Sequence, residues 1–192
     1  MRIGVLMGSF NPIHIGHQVM ANIALNCGLF DKIVLVVSNN PWKASSSDMA
    51  SFNDRLNMVK LTFKGINNID ISGIEQFLDN HYTYNVLLEL QKIYIKDTLS
   101  LIIGLDNVSS FDKWKNPESI VSNFDVYYMK RDGVNQEKVL ENIHEFRMKE
   151  IDYPDINTSS TYIRKLINDG LPCFGFVHKD VLEYIIKKDL YK

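Results

Sequence analysis

Short, uninterrupted apolar runs alternate with amphipathic stretches along most of the chain. Continuous apolar runs predict strands covered on both faces of a sheet, and apolar residues at helical spacing predict helices. The predicted strands lie at 2–8, 32–38, 69–75, 98–106 and 124–131, with a short sixth at 148–154. The predicted helices between them lie at 17–28, 54–64 and 83–94. This alternation predicts an α/β fold built on a doubly wound (Rossmann-like) parallel sheet.

The last part of the chain, about 158–192, predicts two C-terminal helices instead. In the first, Ser159 or Ser160 can cap the start, and Gly170 with Pro172 closes the helix after an apolar stripe. The second, at 179–191, is expected to turn four apolar residues inward: Val181, Leu182, Ile185 and Ile186. We expect both helices to pack on the end of the sheet.

Composition narrows the picture further. A length of 192 residues favours one domain, in which the polar stretch 39–51 predicts a long loop of the kind that often carries function. The formal net charge of −2 gives no overall reason to expect nucleic acid as a partner, although a local basic patch stays open. Cys27 and Cys173 have no metal-type spacing and are expected to be reduced, buried thiols. No run approaches the ~20 apolar residues that cross a bilayer, so we expect a soluble, cytoplasmic protein without membrane contact.

Two histidines, three positions apart, follow the first predicted strand within the stretch GSFNPIHIGH at 8–17. Ligands of doubly wound sheets bind outside the carboxyl ends of the strands, so this turn should face the ligand crevice. Gly8 and Ser9 allow close backbone approach, and a helix start here would direct N–H groups and a positive dipole at an anion. Asn11 followed by Pro12 suits a helix cap, and a start nearer Gly16 is the alternative.

His14 and His17, at i and i+3, would share one face of that helix. Each can donate a hydrogen bond to a phosphate oxygen, and Gly16 would leave room for the phosphate. The alternatives are two structural or surface histidines, or a zinc pair, for which no third ligand has a suitable spacing. The chain contains neither G-x-x-x-x-G-K-[ST] nor G-x-G-x-x-G, the two common nucleotide-binding motifs.

The sequence His-Ile-Gly-His at 14–17 resembles the signature of the HIGH-type nucleotidyltransferases. That superfamily includes the class I aminoacyl-tRNA synthetases and small adenylyl- and cytidylyltransferases. The segment SSTYIR at 159–164 resembles the Ser-Ser-Thr-x-x-Arg segment of the small adenylyltransferases, not the Lys-Met-Ser-Lys-Ser-type loop of the synthetases. The chain is also too short for a synthetase with a tRNA-binding domain.

Nearly the whole chain resembles the bacterial nicotinate-nucleotide adenylyltransferases. The further matching segments are NNPWK at 39–43, YTYNVLLEL at 82–90, IIGLD with FDKW at 102–114, and EYIIKKDLY at 183–191. The chain departs from the family pattern at 40–42, where Asn-Pro-Trp replaces a frequent Pro-Pro-His, and at His81, where serine is common. At 173–181, CFGFVHKDV replaces a more usual Val-Pro. The resemblance implies one nucleotidyltransferase domain over 1–192, with the part from about 158 onward helical.

The resemblance also implies a reaction. AMP would pass from ATP to nicotinate mononucleotide, giving nicotinate adenine dinucleotide and pyrophosphate in NAD biosynthesis. The two small molecules are then the partners, and Mg²⁺ accompanies ATP without a metal site of the protein's own. Nicotinamide mononucleotide or phosphopantetheine as the acceptor, and a non-catalytic nucleotide-binding module, are the alternatives. The sequence leaves open whether the chain forms a homo-oligomer.

The family motifs imply a role for individual residues. His14 and His17 would bind the ATP phosphates and stabilise the charge that develops during transfer, and Arg164 would clamp the β- and γ-phosphates. The other expected ATP contacts are Gly8, Ser9, Phe10, Gly16, Gly104, Asp106, Ser160 and Thr161. The expected mononucleotide contacts are Lys43, Thr83, Tyr84, Trp114 and Arg131. A surface arginine at 164, a capping aspartate at 106 and core aromatic rings at 84 and 114 are the structural alternatives.

Overall fold

A six-stranded sheet forms the centre of the structure, a computed structural model that describes residues 1–39, 48–129, 136–152, 156 and 158–192. Its strands are β1 (Arg2–Gly8), β2 (Lys32–Val37), β3 (Ile69–Ser72), β4 (Thr98–Gly104), β5 (Asp125–Met129) and β6 (Lys149–Ile151). The α-helices of these ranges are α1 (Ile15–Asn26), α2 (Phe52–Thr62), α3 (Thr83–Ile93), α4 (Leu105–Val108), α5 (Pro117–Asn123), α6 (Gln136–Glu145), α7 (Ser160–Asn168) and α8 (Lys179–Lys187). Two 3₁₀ turns lie at Ile74–Phe77 and Phe111–Lys113.

Every strand pairs in parallel with its neighbours, in the order β3-β2-β1-β4-β5-β6. This is the strand order of a doubly wound sheet, and the predicted fold class is confirmed. The order reverses between β1 and β4, so the carboxyl ends of these two strands border the crevice in which such sheets bind ligands.

Both faces of the sheet are covered, because successive side chains of each strand point to opposite sides. Val5 belongs to an apolar cluster with α3, α4 and α5, and Leu6 belongs to a second cluster with α1 and α2. All of β2 from residue 33 to 37 is buried, which explains its continuous apolar sequence.

The two C-terminal helices bury apolar side chains on the side of the sheet that α1 and α2 cover, and α8 packs against α2. Ile163 of α7 and Val181 and Ile185 of α8 are buried in the same cluster as α1 and α2. The expectation that Ile186 points inward is wrong, since 63% of it is exposed. Adjacent helix residues point about 100° apart, and the buried side of α8 is the one that carries Val181 and Ile185.

The sequence did not predict α5 and α6. In α6 the buried side includes Asn142, which is fully buried and donates to the Val108 carbonyl oxygen at 2.7 Å, so the apolar stripe is interrupted by a polar residue. Both cysteines are free thiols, but Cys27 is exposed, contrary to expectation, and Cys173 is buried. No helix among the described residues has the length and apolar character needed to cross a membrane.

Candidate active site

The signature turn (residues 8–17) leaves the carboxyl end of β1, at the edge of the crevice. Helix α1 begins at Ile15 with His14 as its N-cap, so the alternative of a start near Gly16 is confirmed and a cap at Asn11 is wrong. The Asn11 side chain has other partners. It donates to the Asp48 carbonyl oxygen at 2.9 Å and accepts from the Ala50 N–H at 3.0 Å and the Tyr191 hydroxyl at 2.9 Å. Asn11 therefore joins the turn to residues that are distant in the sequence.

The two histidines of the turn stack against each other, with ring centroids 3.8 Å apart. His14 Nδ1 accepts a hydrogen bond from the Gly16 N–H at 3.2 Å, and His17 Nδ1 accepts one from the His14 N–H at 3.3 Å. A neutral imidazole whose Nδ1 accepts must carry its proton on Nε2. The local backbone therefore fixes both rings in the tautomer in which Nε2–H is a donor, as phosphate binding requires.

Gly16 makes this arrangement possible by lacking a side chain. A Cβ at this position would lie 3.0 Å from His14 Cε1 and 3.1 Å from His14 Nδ1. Real Cβ atoms rarely approach so closely, so the His14 ring would have to move. The sequence prediction assigned the room beside Gly16 to a phosphate, and the structure shows that the His14 ring itself uses it.

Phe10, expected as an ATP contact, has its side chain in the core and is 2% exposed. Its ring packs edge-on against His17, with centroids 5.0 Å apart, and supports that imidazole from behind. Its backbone has a φ of 46°, a left-handed conformation that is uncommon outside glycine. Phe10 could therefore contact a nucleotide at the signature turn only through its backbone, not through its side chain.

Helix α7 brings the SSTYIR segment to the signature turn. The Ser159 hydroxyl accepts from the Tyr162 N–H at 3.2 Å and caps the helix. Ser160 Oγ donates to the Pro12 carbonyl oxygen at 2.9 Å, so this hydroxyl, expected to hold a phosphate, also fastens α7 to the turn.

Arg164, one turn further along α7, reaches the same turn. Its Nη1 donates to the Asn11 carbonyl oxygen at 2.9 Å, and its Nη2 lies 3.5 Å from Thr161 Oγ1. Its Nε is buried and has no hydrogen-bond partner within the described residues. The guanidinium is thus brought next to the histidine turn, 153 residues away in sequence from Asn11.

A cavity of about 600 Å³ opens beside Arg164. It is lined by residues 48–51 before α2, by the Thr161, Arg164 and Lys165 side of α7, and by residues 189–192 at the C-terminus. The histidines and Trp114 do not line it. Of the expected site residues that the structure describes, only Thr161 and Arg164 border the cavity.

Among the expected mononucleotide residues, Tyr84 and Trp114 lie on the face of the sheet opposite α1 and α2. Trp114 and Tyr84 are half-buried and pack against the core cluster. The Trp114 ring lies 5.0 Å from the Phe111 ring, and the Tyr84 hydroxyl accepts from Asn123 Nδ2 at 3.5 Å. Thr83 is the first residue of α3, where helix N–H groups lack helical partners.

Asp106 is exposed in the first turn of α4, directly after Gly104. A Cβ on Gly104 would lie 2.7 Å from Asp106 Oδ1, so the glycine lets this carboxylate fold back over the strand end. Gly8 and Ser9 end β1 and begin the signature turn as expected. Lys43 and Arg131 lie outside the described residues.

Two buried charged residues were not predicted from the sequence. Arg55 of α2 is 2% exposed and bonds three backbone carbonyl oxygens around the signature turn. Glu75 is 1% exposed, accepts from the Asn39 N–H at 2.8 Å and lies 3.7 Å from His81 Nδ1. Burial raises the pKa of Glu75 to about 7. The one available signal was helical spacing, since Arg55 precedes the buried Met58 by three residues on the apolar side of α2.

Known proteins resemble this chain over its full length. The sequence model of the cytidylyltransferase-like family matches residues 5–166. A protein of Flavobacterium johnsoniae called a probable nicotinate-nucleotide adenylyltransferase is 36% identical over 194 residues, covering 100% of both chains. One of the same name from Caldicellulosiruptor saccharolyticus is 34% identical over 199 residues, again covering 100% of both.

Solved structures share the fold. The nicotinic acid mononucleotide adenylyltransferase of Plasmodium falciparum complexed with NaAD superimposes with a TM-score of 0.78 at 20% identity, covering 99% of this chain and 97% of that one. The same enzyme complexed with APC gives a TM-score of 0.77 at 19% identity, covering 99% and 96%. At these identities the likeness shows the fold alone.

Proposed function

The chain belongs to the cytidylyltransferase-like family, among the nicotinate-nucleotide adenylyltransferases, and we propose that it transfers AMP from ATP to nicotinate mononucleotide. The products are nicotinate adenine dinucleotide and pyrophosphate, and the reaction serves NAD biosynthesis. The observation that carries the proposal is the meeting of His14, His17 and Arg164 at one turn beside the strand-order reversal.

The chemistry asks for positioning and charge stabilisation and needs no general base. A phosphate oxygen of the mononucleotide attacks the α-phosphorus of ATP, and the bond from that phosphorus to the bridging oxygen of the β-phosphate breaks. The nucleophile is largely ionised near neutral pH, because the second pKa of a phosphate monoester is about 6. Preorganised donors aimed at the developing charge therefore supply most of the rate enhancement.

Each side chain at the turn then has a role. The Nε2–H groups of His14 and His17 donate to phosphate oxygens around the α-phosphorus, and Phe10 holds the second imidazole from behind. Arg164 neutralises the β- and γ-phosphates. Its contact with the Asn11 carbonyl oxygen keeps the guanidinium in place before ATP arrives.

The backbone and smaller side chains complete the ATP site. We assign the backbone of Gly8, Ser9 and Phe10, and that of Gly16 in the first turn of α1, to the triphosphate, and Gly104 and Asp106 to the ribose hydroxyls. Ser160 and Thr161 add hydroxyls at the start of α7. The described residues contain no group of three or more His, Cys, Asp or Glu side chains arranged for a metal ion. We assign Mg²⁺ to the triphosphate oxygens, where it neutralises phosphate charge.

The acceptor site lies around α3 and Trp114. The start of α3, with Thr83 and Tyr84, offers hydroxyl and N–H donors to the nicotinate carboxylate, and Trp114 offers a ring face to the pyridine. Lys43 and Arg131 are assigned to the mononucleotide phosphate from the sequence resemblance. A second copy of the chain is not required by any of these assignments.

The experiment that tests the function measures pyrophosphate release from ATP and Mg²⁺ with one acceptor at a time. Nicotinate mononucleotide is expected to support release, and nicotinamide mononucleotide much less. Equal rates with both acceptors would mean that the donors at the start of α3 do not determine acceptor specificity. Release with phosphopantetheine alone, or ATP binding with no release for any acceptor, would contradict the proposal. A variant lacking both imidazoles, His14→Ala with His17→Ala, is the blank.

A further inference from the structure

Arg55 is a cation in the protein interior, placed beneath the signature turn. Its Nη1 donates to the carbonyl oxygens of Ser9 and Ser38, both at 2.7 Å, and its Nε donates to that of Ala50 at 3.2 Å. The three carbonyls belong to the signature turn, to the end of β2 and to the residues just before α2. One guanidinium therefore joins the turn to Ser38 and to Ala50, which lie on either side of residues 40–47 in the sequence.

The hydrogen-bond partners of this cation are uncharged backbone carbonyls. Among the ion pairs of the described residues, none includes Arg55, and the Phe52 ring lies 5.5 Å from its guanidinium carbon. Burial lowers the pKa of Arg55 from its ordinary value, against the weaker opposing effects of Tyr191 and Glu75. Burying a charge is costly unless hydrogen bonds compensate. Here backbone carbonyl oxygens provide those hydrogen bonds, so the Arg55 side chain holds segments of the backbone in place.

The geometry of the peptide bond links the Ser9 carbonyl, which Arg55 binds, to the direction of the next N–H. In a trans peptide the carbonyl and the following N–H point opposite ways, and the Ser9–Phe10 bond is trans. When Arg55 draws the Ser9 carbonyl oxygen inward, the Phe10 N–H turns away from the interior. Phe10 also has a φ of 46°, a conformation that persists in a non-glycine residue only where its surroundings enforce it.

We propose that Arg55 is a positioning residue for ATP, which aims the Phe10 N–H at the phosphates by anchoring the Ser9 carbonyl. The proposal rests on the proposed function for the identity of the nucleotide. Arg55 itself touches no substrate, and it acts through the Ser9–Phe10 peptide.

The test is Arg55→Lys, which keeps the charge but cannot span three carbonyls with one ammonium group. We expect KM for ATP to rise tenfold or more, and by a larger factor than KM for nicotinate mononucleotide, whose proposed phosphate contact Lys43 lies between Ser38 and Ala50 in the sequence. Lys60→Ala, on the exposed side of the same helix, is the matched control and should leave both values unchanged. A merely structural role would lower the active fraction, and hence kcat, without moving KM for ATP, and that result would overturn the proposal.

A second measurement uses the wild-type protein and does not depend on turnover or on a variant that folds. ATP with Mg²⁺ is titrated into ¹⁵N-labelled protein, and the Phe10 amide resonance is followed. A saturable shift is expected for this amide and for Gly16. Binding of ATP with an unmoved Phe10 resonance would overturn the positioning role. A shift without pyrophosphate release would support it and refute the proposed function.

Discussion

At the scale of single residues, the chemistry of the two histidines is decided by their own backbone. Both Nδ1 atoms accept from N–H groups within the turn, so each ring presents a donor on the opposite edge. The motif letters alone do not contain this information, because they say nothing of tautomer. Two neighbours support this arrangement. Gly16 leaves room for the His14 ring because it has no side chain, and the buried Phe10 ring packs against His17.

His17→Ala is expected to lower kcat by roughly 100-fold or more, which is the usual cost of removing one preorganised donor to a charged transition state. The fold should stay intact, because His17 is not part of the buried core. Steady-state pyrophosphate release with both substrates saturating measures the effect. His144→Ala, at an exposed position of α6, is the control. A kcat within threefold of wild type would remove His17 from the phosphate site.

Arg164→Lys tests the guanidinium on α7 that contacts the signature turn. Lysine keeps the charge and loses the planar pair of donors, so it cannot hold the Asn11 carbonyl oxygen and a phosphate together. We expect KM for ATP to rise by roughly tenfold, which corresponds to about 1.4 kcal/mol. The control is KM for ATP in Lys165→Ala, which removes the neighbouring exposed cation on α7. Unchanged ATP kinetics in Arg164→Lys would refute the clamp.

At the scale of elements, helix α7 carries three of the proposed ATP contacts, Ser160, Thr161 and Arg164. Ser159→Ala removes its N-cap and should lower the free energy of unfolding by about 1 kcal/mol. Urea denaturation followed by circular dichroism measures this. Ser122→Ala removes a hydroxyl that bonds only within α5, to Glu118, and should change stability by less than about 0.5 kcal/mol. Equal losses in the two variants would mean that the cap contributes nothing specific.

The same scale shows what the sequence could and could not predict. The strands and helices α1, α2, α3, α7 and α8 follow from apolar spacing, because each buries a regular face. Helix α6 was missed since Asn142 breaks its apolar stripe, and the start of α1 was ambiguous since histidine is an unusual N-cap. Local patterns locate elements well where burial is apolar and poorly where a polar group is buried with a partner.

At the scale of the whole molecule, the site is assembled from segments that only the fold brings together. Asn11 bonds Arg164 and Tyr191, which are 153 and 180 residues away. Burial raises the pKa of Tyr191, consistent with a hydroxyl that serves as a donor to Asn11 inside the structure. The resemblance to known motifs assigned roles to the histidines and Arg164. Asn11 and Tyr191 lie within matching segments, but the motifs did not indicate that these two side chains bond each other, and Arg55 lies outside the matching segments. Their contacts depend on the sheet order, which no local spacing encodes.

Glu75 gives the whole molecule a pH-dependent stability. Its carboxyl is buried between the Asn39 N–H, His81 and, more distantly, Arg55, and its pKa is raised to about 7 from an ordinary value of 4.5. Between these two values the folded state binds more protons than the unfolded state. Its contribution is therefore fully present below about pH 4.5 and is lost as pH rises through 7.

Glu75→Gln fixes this position in a neutral form that can still accept the Asn39 N–H. The variant and the wild type should have similar free energies of unfolding at pH 5, and the variant should be more stable by up to roughly 3 kcal/mol at pH 8, because each pKa unit corresponds to about 1.4 kcal/mol. Urea denaturation at pH 5, 6, 7 and 8 measures the difference. Glu183→Gln, at an exposed position of α8, removes a charge without burial and should show no such trend. A gap between Glu75→Gln and wild type that stays constant across this range would mean that Glu75 is already ionised in the folded protein at pH 5, held so by Arg55 and the Asn39 N–H.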